Sequence, residues 1–166
     1  VHSIEHGTIM DGEVLALMKK HGTYYIPTIS AGMFVAEKAK QKGYYPQIIV
    51  PKALEIGPRL LNTFTTAYKF GIKIAFGTDS GVSYHGDNAK EFFYMVKGGM
   101  SEMEAIRSAT VIASEMLDIN DKLGSIESGK LADIIAVKGN PIKDITFLQE
   151  VVFVMKEGKI YKSNID

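Results

Sequence analysis

The sequence predicts an α/β protein built on a parallel sheet, followed by a smaller β-rich segment. Along residues 1–119, short apolar runs typical of strands alternate with segments that carry helix start and stop signals. Such alternation is typical of parallel strands joined by right-handed helical crossovers. After residue 122 the pattern changes to short β-rich runs separated by turns. We therefore expect two units, residues 1–122 and residues 123–166.

The first three predicted elements are a strand, a helix and a second strand. The strand is VHSIEHG at residues 1–7, which carries the β-branched side chains of Val1 and Ile4. The helix covers residues 10–22, because Asp11 suits the N-cap and Gly22 suits the C-terminal stop. The second strand is TYYIPTIS at residues 23–30.

The next part of the chain is less regular. Residues 30–57 mix a short helical pattern with glycine and proline, which favours a loop–helix–loop excursion. Pro58 suits the first turn of a following helix, and Gly71 suits its end. The apolar run at residues 72–77 then predicts a third parallel strand.

Two further helices and a β-rich tail complete the prediction. Each helix begins with the spacing of a capping box, Asn88 with Glu91 and Ser101 with Glu104, and they cover residues 88–99 and 101–119. The tail contains three short β-rich runs, at residues 134–137, 151–155 and 159–161. The last two flank an EGK turn and predict a β-hairpin.

Composition excludes several classes of function. Lys plus Arg and Asp plus Glu number 19 each, so the formal net charge is zero, which argues against nucleic acid or an anionic membrane as the main partner. No apolar run approaches the ~20 residues of a membrane span. The chain has no cysteine, so disulfides and thiolate chemistry are absent, as is typical of a cytoplasmic protein. It begins at Val1 without a signal-peptide pattern, and we expect it to be a piece of a longer protein.

Two residues stand where metal ligands are expected. His6 and Asp79 lie at the C-terminal ends of predicted parallel strands, at the edge of the sheet where α/β enzymes bind ligands. Imidazole nitrogen and carboxylate oxygen both bind zinc-type ions, and an aspartate can also take a proton from water. A structural hydrogen bond for His6, and a turn or helix cap for Asp79, are the alternatives.

Three more residues are candidates for contact with a substrate. His85 lies in a predicted loop after the third strand and suits substrate binding or proton transfer, unless it is an ordinary surface histidine. Thr28 stands at the end of the second strand, and we expect it to face the same edge. Tyr25, within that strand, lines a pocket or packs in the core.

Taken in order along the chain, several motifs resemble those of the amidohydrolase superfamily. They are SIEHG, PT after a strand, GTDSG, HGDNAKEF, GMSEMEAIRSAT and GSIESGKLADIIAVKGNPIKDI. The resemblance is to the imidazolonepropionase-like and Xaa-Pro dipeptidase-like, or prolidase-type, branch. It implies a (β/α)8 TIM barrel, of which this chain holds strands six to eight, and part of a small β-sandwich domain.

The resemblance also implies a chemistry. His6 matches the metal-ligand histidine of strand six, and Asp79 matches the strand-eight aspartate that binds metal and acts as general base. Such enzymes hold one or two divalent ions, commonly zinc. A metal-bound hydroxide attacks the carbon of an amide or cyclic C–N bond, and Xaa-Pro dipeptides are one candidate substrate class.

The family's other metal ligands have no counterpart in residues 1–166. The His-x-His pair, the bridging lysine and the strand-five histidine are missing, so the resemblance implies the C-terminal portion of the enzyme. We expect residues 1–166 alone to be inactive, and to need the missing barrel half or a second copy as partner. The alternative function is a non-catalytic assembly or small-molecule binding module that retains the fold.

Overall fold

The computed structural model describes residues 1–164, and its first elements form a parallel pair of strands. Strand β1 (Ser3–Glu5) pairs with β2 (Tyr24–Ile26), and Ile4 lies opposite Tyr25. Helix α1 (Gly12–His21) connects them. The Asp11 carboxylate accepts a hydrogen bond from the Val14 amide, which confirms the predicted N-cap.

The predicted third strand is present as a single parallel bridge between Tyr25 and Ile74. The Tyr25 amide donates to the Lys73 carbonyl at 2.9 Å, and the Ala75 amide donates to the Tyr25 carbonyl at 3.0 Å. Residues 72–77 therefore extend alongside β2 without completing a regular strand. The order across the sheet is β1, β2 and then residues 72–77, all parallel.

The segment predicted as an excursion is mostly helical. Helix α2 (Ile29–Lys38) starts shortly after β2, and α3 (Val50–Phe70) follows after the connection at residues 39–49. The prediction that a helix begins at Pro58 is wrong. Helix α3 has Pro51 in its first turn, and Pro58 lies in the interior of the same helix. Proline is tolerated in the first turn, where the missing N–H has no helical partner.

Helices α4 (Lys90–Lys97), α5 (Glu102–Ala109) and α6 (Val111–Met116) follow. The Ser101–Glu104 capping box is confirmed at the start of α5. The predicted Asn88–Glu91 box does not form, because the α4 N-cap is Ala89 and the Glu91 carboxylate is used elsewhere. The predicted helix over residues 101–119 is interrupted between α5 and α6.

The tail forms a separate antiparallel sheet. Strand β3 (Ile134–Val137) pairs with β4 (Val151–Lys156), which pairs with β5 (Lys159–Ser163) through the predicted hairpin. A 3₁₀ helix at Ile145–Gln149 precedes β4. Two of its side chains, Ile145 and Leu148, are buried in the main core. The tail is therefore anchored to the helices.

One main core lies between the parallel strands and the helices. Its buried members are Leu15, Met18, Tyr25, Ile29, Phe64, Ala67, Ile72, Ile74, Met95, Met100, Ala105, Ile145 and Leu148. Among residues 1–164, no helix is long and apolar enough to cross a membrane.

Candidate active site

Three polar residues follow the three parallel segments and share an unusual backbone conformation. His6 has φ 64°, Thr28 has φ 50° and Asp79 has φ 51°, all in the left-handed region. For a residue other than glycine this conformation costs of order 1–3 kcal/mol, and it is concentrated at functional sites. Because the segments are parallel, these residues lie at the same edge of the sheet.

The imidazole of His6 forms a hydrogen bond through its Nδ1 atom. Its Nδ1 lies 2.8 Å from Thr28 Oγ1, while the residue as a whole is exposed. When Nδ1 carries the proton it donates to the hydroxyl, and Nε2 keeps the lone pair that a metal or a proton requires. The contact with Thr28 is thus of the kind that fixes the tautomer of a metal-binding histidine.

Tyr25 lies behind His6 rather than at the open edge. Its side chain is fully buried, and its hydroxyl donates to the His6 carbonyl at 3.0 Å. Burial raises the pKa of the Tyr25 hydroxyl above its ordinary value, and the nearby Glu91 raises it further. The sequence predicts contact between Tyr25 and substrate, but its burial and its bond to the His6 carbonyl make it a support for the His6 backbone.

Asp79 is exposed at the end of its segment. Its carbonyl accepts from the Val82 amide at 3.1 Å, which closes a turn. Its carboxylate accepts no hydrogen bond from any side chain or amide within residues 1–164. The segment at residues 72–77 is therefore followed by an exposed carboxylate that is available to bind a cation or accept a proton.

The loop after Asp79 carries His85, which is exposed. An aromatic cluster fixes the neighbouring Tyr84 to α2, since the Tyr84 ring meets Phe34 edge-on at 5.3 Å between centroids. The Lys38 ammonium lies 5.3 to 5.6 Å from the ring centroids of Phe34, Tyr84 and Tyr44. Such contacts are attractive because the ring faces are electron-rich. His85 therefore lies on a loop that packs against α2 through Tyr84.

Glu91 is a functional candidate, although its spacing from Asn88 predicts a cap for its own helix. Its side chain is fully buried and accepts hydrogen bonds from the amides of Ile29 at 2.8 Å and Ser30 at 2.6 Å. Burial raises the pKa of Glu91 to about 7, although the backbone donors oppose that shift. One signal was available, because Glu91 lies four residues before Met95 and so shares the apolar face of α4.

The donors at the sheet edge fit part of a divalent-metal site. His6 supplies an imidazole and Asp79 a carboxylate, and both are ordinary zinc ligands. No group of three or more His, Cys, Asp or Glu side chains suited to a metal occurs in the described chain. A catalytic zinc takes about three protein ligands, so these two residues would need further ligands from outside residues 1–166.

A large cavity lies away from this edge. It has a volume of about 570 Å³ and lies between the α5–α6 region and β3, with mostly apolar walls that include Ile106, Leu117 and Ile134. Neither His6 nor Asp79 lines it. The cavity is therefore separate from the two candidate metal ligands.

Comparison with solved structures shows close similarity to hydrolases. A crystal structure of a Xaa-Pro dipeptidase with bound methionine in the active site is 60% identical, with a TM-score of 0.94 over 98% of this chain. A prolidase complexed with N-methylphosphonate-L-proline is 28% identical, with a TM-score of 0.86 over 99% of the chain. The match spans 40% of the first protein and 41% of the second.

Sequence comparison agrees with the structures. Ochratoxinase from Aspergillus niger is 35% identical over 96% of this chain, which spans 34% of the length of that enzyme. The sequence profile of the Amidohydrolase family matches residues 1–161. The predicted resemblance to amidohydrolases and their Xaa-Pro dipeptidase-like members is confirmed, and the α/β fold matches part of the fold of these proteins. The chain belongs to the amidohydrolase family.

Proposed function

We propose that this chain is the C-terminal portion of a metal-dependent amidohydrolase that cleaves C–N bonds, with Xaa-Pro dipeptides as the substrate class. The observation that carries the proposal is the placement of His6 and Asp79 at one sheet edge, with His6 Nδ1 held by Thr28. The similarity to a Xaa-Pro dipeptidase at 60% identity supports the substrate class.

The proposed architecture follows the family. Residues 1–122 would supply strands six to eight of a TIM barrel, and residues 123–166 would supply part of a β-sandwich. The remaining strands would come from the rest of the same polypeptide or from a partner copy. A cytoplasmic location, based on the lack of cysteine, stays a prediction.

His6 and Asp79 would hold a divalent ion together with ligands from the missing part. Such an ion, with zinc the best candidate, supplies Lewis-acid chemistry at the scissile carbonyl. The Asp79 carboxylate accepts a proton from the attacking water, whose oxygen bonds to the carbonyl carbon. The C–N bond then breaks, and Asp79 passes the proton to the leaving nitrogen, so the carboxylate is regenerated.

Two residues are proposed to meet the substrate. Thr28 lies at the same edge as His6, and His85 is exposed on the loop that follows Asp79. Thr28 is only 4% exposed, and its hydroxyl, which contacts His6, can form one further hydrogen bond. Tyr25 is proposed to act on His6 rather than on substrate, since it is fully buried.

The test uses the natural full-length polypeptide loaded with zinc. Hydrolysis of Xaa-Pro dipeptides is compared with that of matched Xaa-Ala dipeptides, and the variants are Asp79→Asn and Asp11→Asn. Loss of general-base catalysis should lower kcat of Asp79→Asn by about 10²-fold or more. Asp11→Asn is the matched control, because Asn is an equally good N-cap.

The proposal would be overturned by full activity of Asp79→Asn, or by a full-length protein that binds no divalent metal and hydrolyses no amide. The second outcome would support a non-catalytic binding module. Equal activity on Xaa-Ala dipeptides would overturn only the substrate class.

A further inference from the structure

Helix α2 begins without a cap of its own. Its N-cap residue is Thr28, whose left-handed backbone and side chain provide no capping hydrogen bond. The first amides of a helix have no helical acceptor, so a buried helix start requires a partner from elsewhere. The N-cap side chain that would normally serve is already used, since Thr28 Oγ1 contacts His6 Nδ1.

Glu91 supplies the missing cap from a different helix. Its two carboxylate oxygens are divided between two amides, with Oε1 accepting from Ile29 and Oε2 accepting from Ser30. The contact spans about 60 residues of sequence and is fully buried. Burying a carboxylate is costly unless it is well hydrogen-bonded. A single hydroxyl at the N-cap would satisfy the helix without that cost.

The carboxylate is therefore connected to the candidate site in two steps. Glu91 fixes the amides of Ile29 and Ser30, which directly follow Thr28 in the chain. Thr28 in turn contacts His6 across the β1–β2 pair. Thr28 holds a positive φ, a conformation that persists only when the surrounding structure enforces it.

We propose that Glu91 is a positioning residue for His6: by capping α2 in place of Thr28, it holds Thr28 in the conformation that frees its hydroxyl to orient the His6 imidazole. The role of His6 as a metal ligand rests on the proposed function. The connection from Glu91 to the His6 ring does not, and it can be measured without any turnover.

The test is the state of the His6 ring in the metal-free full-length protein. The ¹⁵N resonances of the imidazole report the tautomer and its hydrogen bonds, and the His6→Gln variant assigns them. In Glu91→Gln, one of the backbone amides of Ile29 and Ser30 loses its acceptor. The glutamine side chain has an NH₂ group, itself a donor, in place of one carboxylate oxygen. The tautomer populations of His6 should shift, and the zinc dissociation constant should rise about 10-fold or more.

Two further variants separate positioning from a purely structural role. Glu104→Gln makes the same change in the α5 capping box and should leave the His6 resonances unchanged. The Thr28→Val variant already lacks the hydroxyl that contacts His6 Nδ1. Adding Glu91→Gln to that variant should therefore change the His6 resonances no further. If Glu91→Gln does not fold, Glu91→Asp, which shortens the side chain by one methylene, is measured in the same way.

The proposal is overturned if Glu91→Gln or Glu91→Asp is folded and the His6 resonances are those of the wild type. It is also overturned if Glu91→Gln shifts them equally with and without the Thr28 hydroxyl. A shift of the His6 resonances in a protein that hydrolyses no amide would support the positioning role and count against the proposed function alone.

Discussion

The Nδ1 atom of His6 lies 2.8 Å from Oγ1 of Thr28, although 22 residues of sequence separate them. The parallel pairing of β1 with β2 brings them together, because the His6 amide donates to the Ile26 carbonyl at 2.8 Å. The backbone register thus places the end of one strand beside the end of the next. A polar pair results at the edge where the proposed metal would bind.

Replacing the Thr28 hydroxyl should weaken metal binding. Thr28→Val keeps the β-branched shape but leaves His6 Nδ1 without its partner, whereas Thr28→Ser retains the hydroxyl. Residues that support a metal ligand typically contribute about 10- to 100-fold in affinity. Zinc titration by calorimetry of the full-length protein should show that loss for Thr28→Val and a much smaller one for Thr28→Ser. Equal affinities for the two variants would contradict the role of the hydroxyl.

The stability of the protein should fall as pH rises through the range in which Glu91 titrates. The pKa of Glu91 is raised by burial from 4.5 to about 7, so the folded state binds a proton more tightly than the unfolded state. This contribution is fully present below pH 4.5 and is lost as pH rises through about 7, with a magnitude on the order of 3 kcal/mol. Tyr25 and Tyr94 interact with Glu91, and their pKa values are also raised, so both stay neutral there.

The measurement is the free energy of unfolding in urea, taken from about pH 4.5 to 7.5 for the wild type and Glu91→Gln. The difference between the two proteins should change across that range, because the variant lacks the titrating group. A difference that stays constant with pH would contradict a raised pKa for Glu91.

The hydroxyl of Ser30 should be dispensable. It is the one buried side-chain polar atom without a hydrogen-bond partner in the part of the chain described. Its dipole favours the charged form of Glu91, but its geometry is not that of a hydrogen bond. Ser30→Ala removes an unsatisfied group and improves helix propensity, so the unfolding free energy should be unchanged or rise by up to about 1 kcal/mol. A clear loss of stability would mean that Ser30 does donate to Glu91.

Gly57 should not tolerate a side chain. A Cβ at this position would lie 2.7 Å from the carbonyl oxygen of Gly32 and 2.8 Å from Cα of Met33, so α2 and α3 would have to separate. Gly57→Ala should lower the unfolding free energy by about 1–3 kcal/mol. Gly12→Ala, with no atom within 4 Å of its Cβ, is the control and should be neutral or stabilising. Equal stability of the two variants would contradict this packing.

Residues 1–166 by themselves should not catalyse hydrolysis. They supply two candidate ligands, and no larger group of metal-binding side chains occurs among residues 1–164. The purified chain should show no zinc-dependent cleavage of Xaa-Pro dipeptides under conditions in which the full-length protein is active. Turnover by the isolated chain would contradict the proposal that ligands from outside it complete the site.

Local signals in the sequence predicted local structure well. Asp11 and the Ser101–Glu104 pair were predicted as helix caps, and both make the expected hydrogen bonds. The hairpin of β4 and β5 was predicted from its turn. Each of these features is decided within a few residues, so the sequence contains the information directly.

Predictions failed where distant residues decide the outcome. Helix α3 begins at Val50, ahead of Pro58, because its buried face packs against α2 and compensates for a proline within the helix. The spacing of Asn88 and Glu91 predicts a capping box. The Glu91 carboxylate instead accepts hydrogen bonds from amides at the start of α2, about 60 residues away in the sequence. The first backbone amides of a helix without an N-cap side chain need an acceptor, and a residue distant in sequence can supply it.

The sequence by itself determined the alternation of elements, the family and the two residues, His6 and Asp79, proposed to bind metal. These follow from periodicity, from turn chemistry and from motifs along the chain. Only the tertiary structure decided how His6 is supported, through Thr28, Tyr25 and, we propose, Glu91. The reason is physical, since strand pairing and helix packing bring together donors and acceptors whose spacing in the chain carries no signal of their contact.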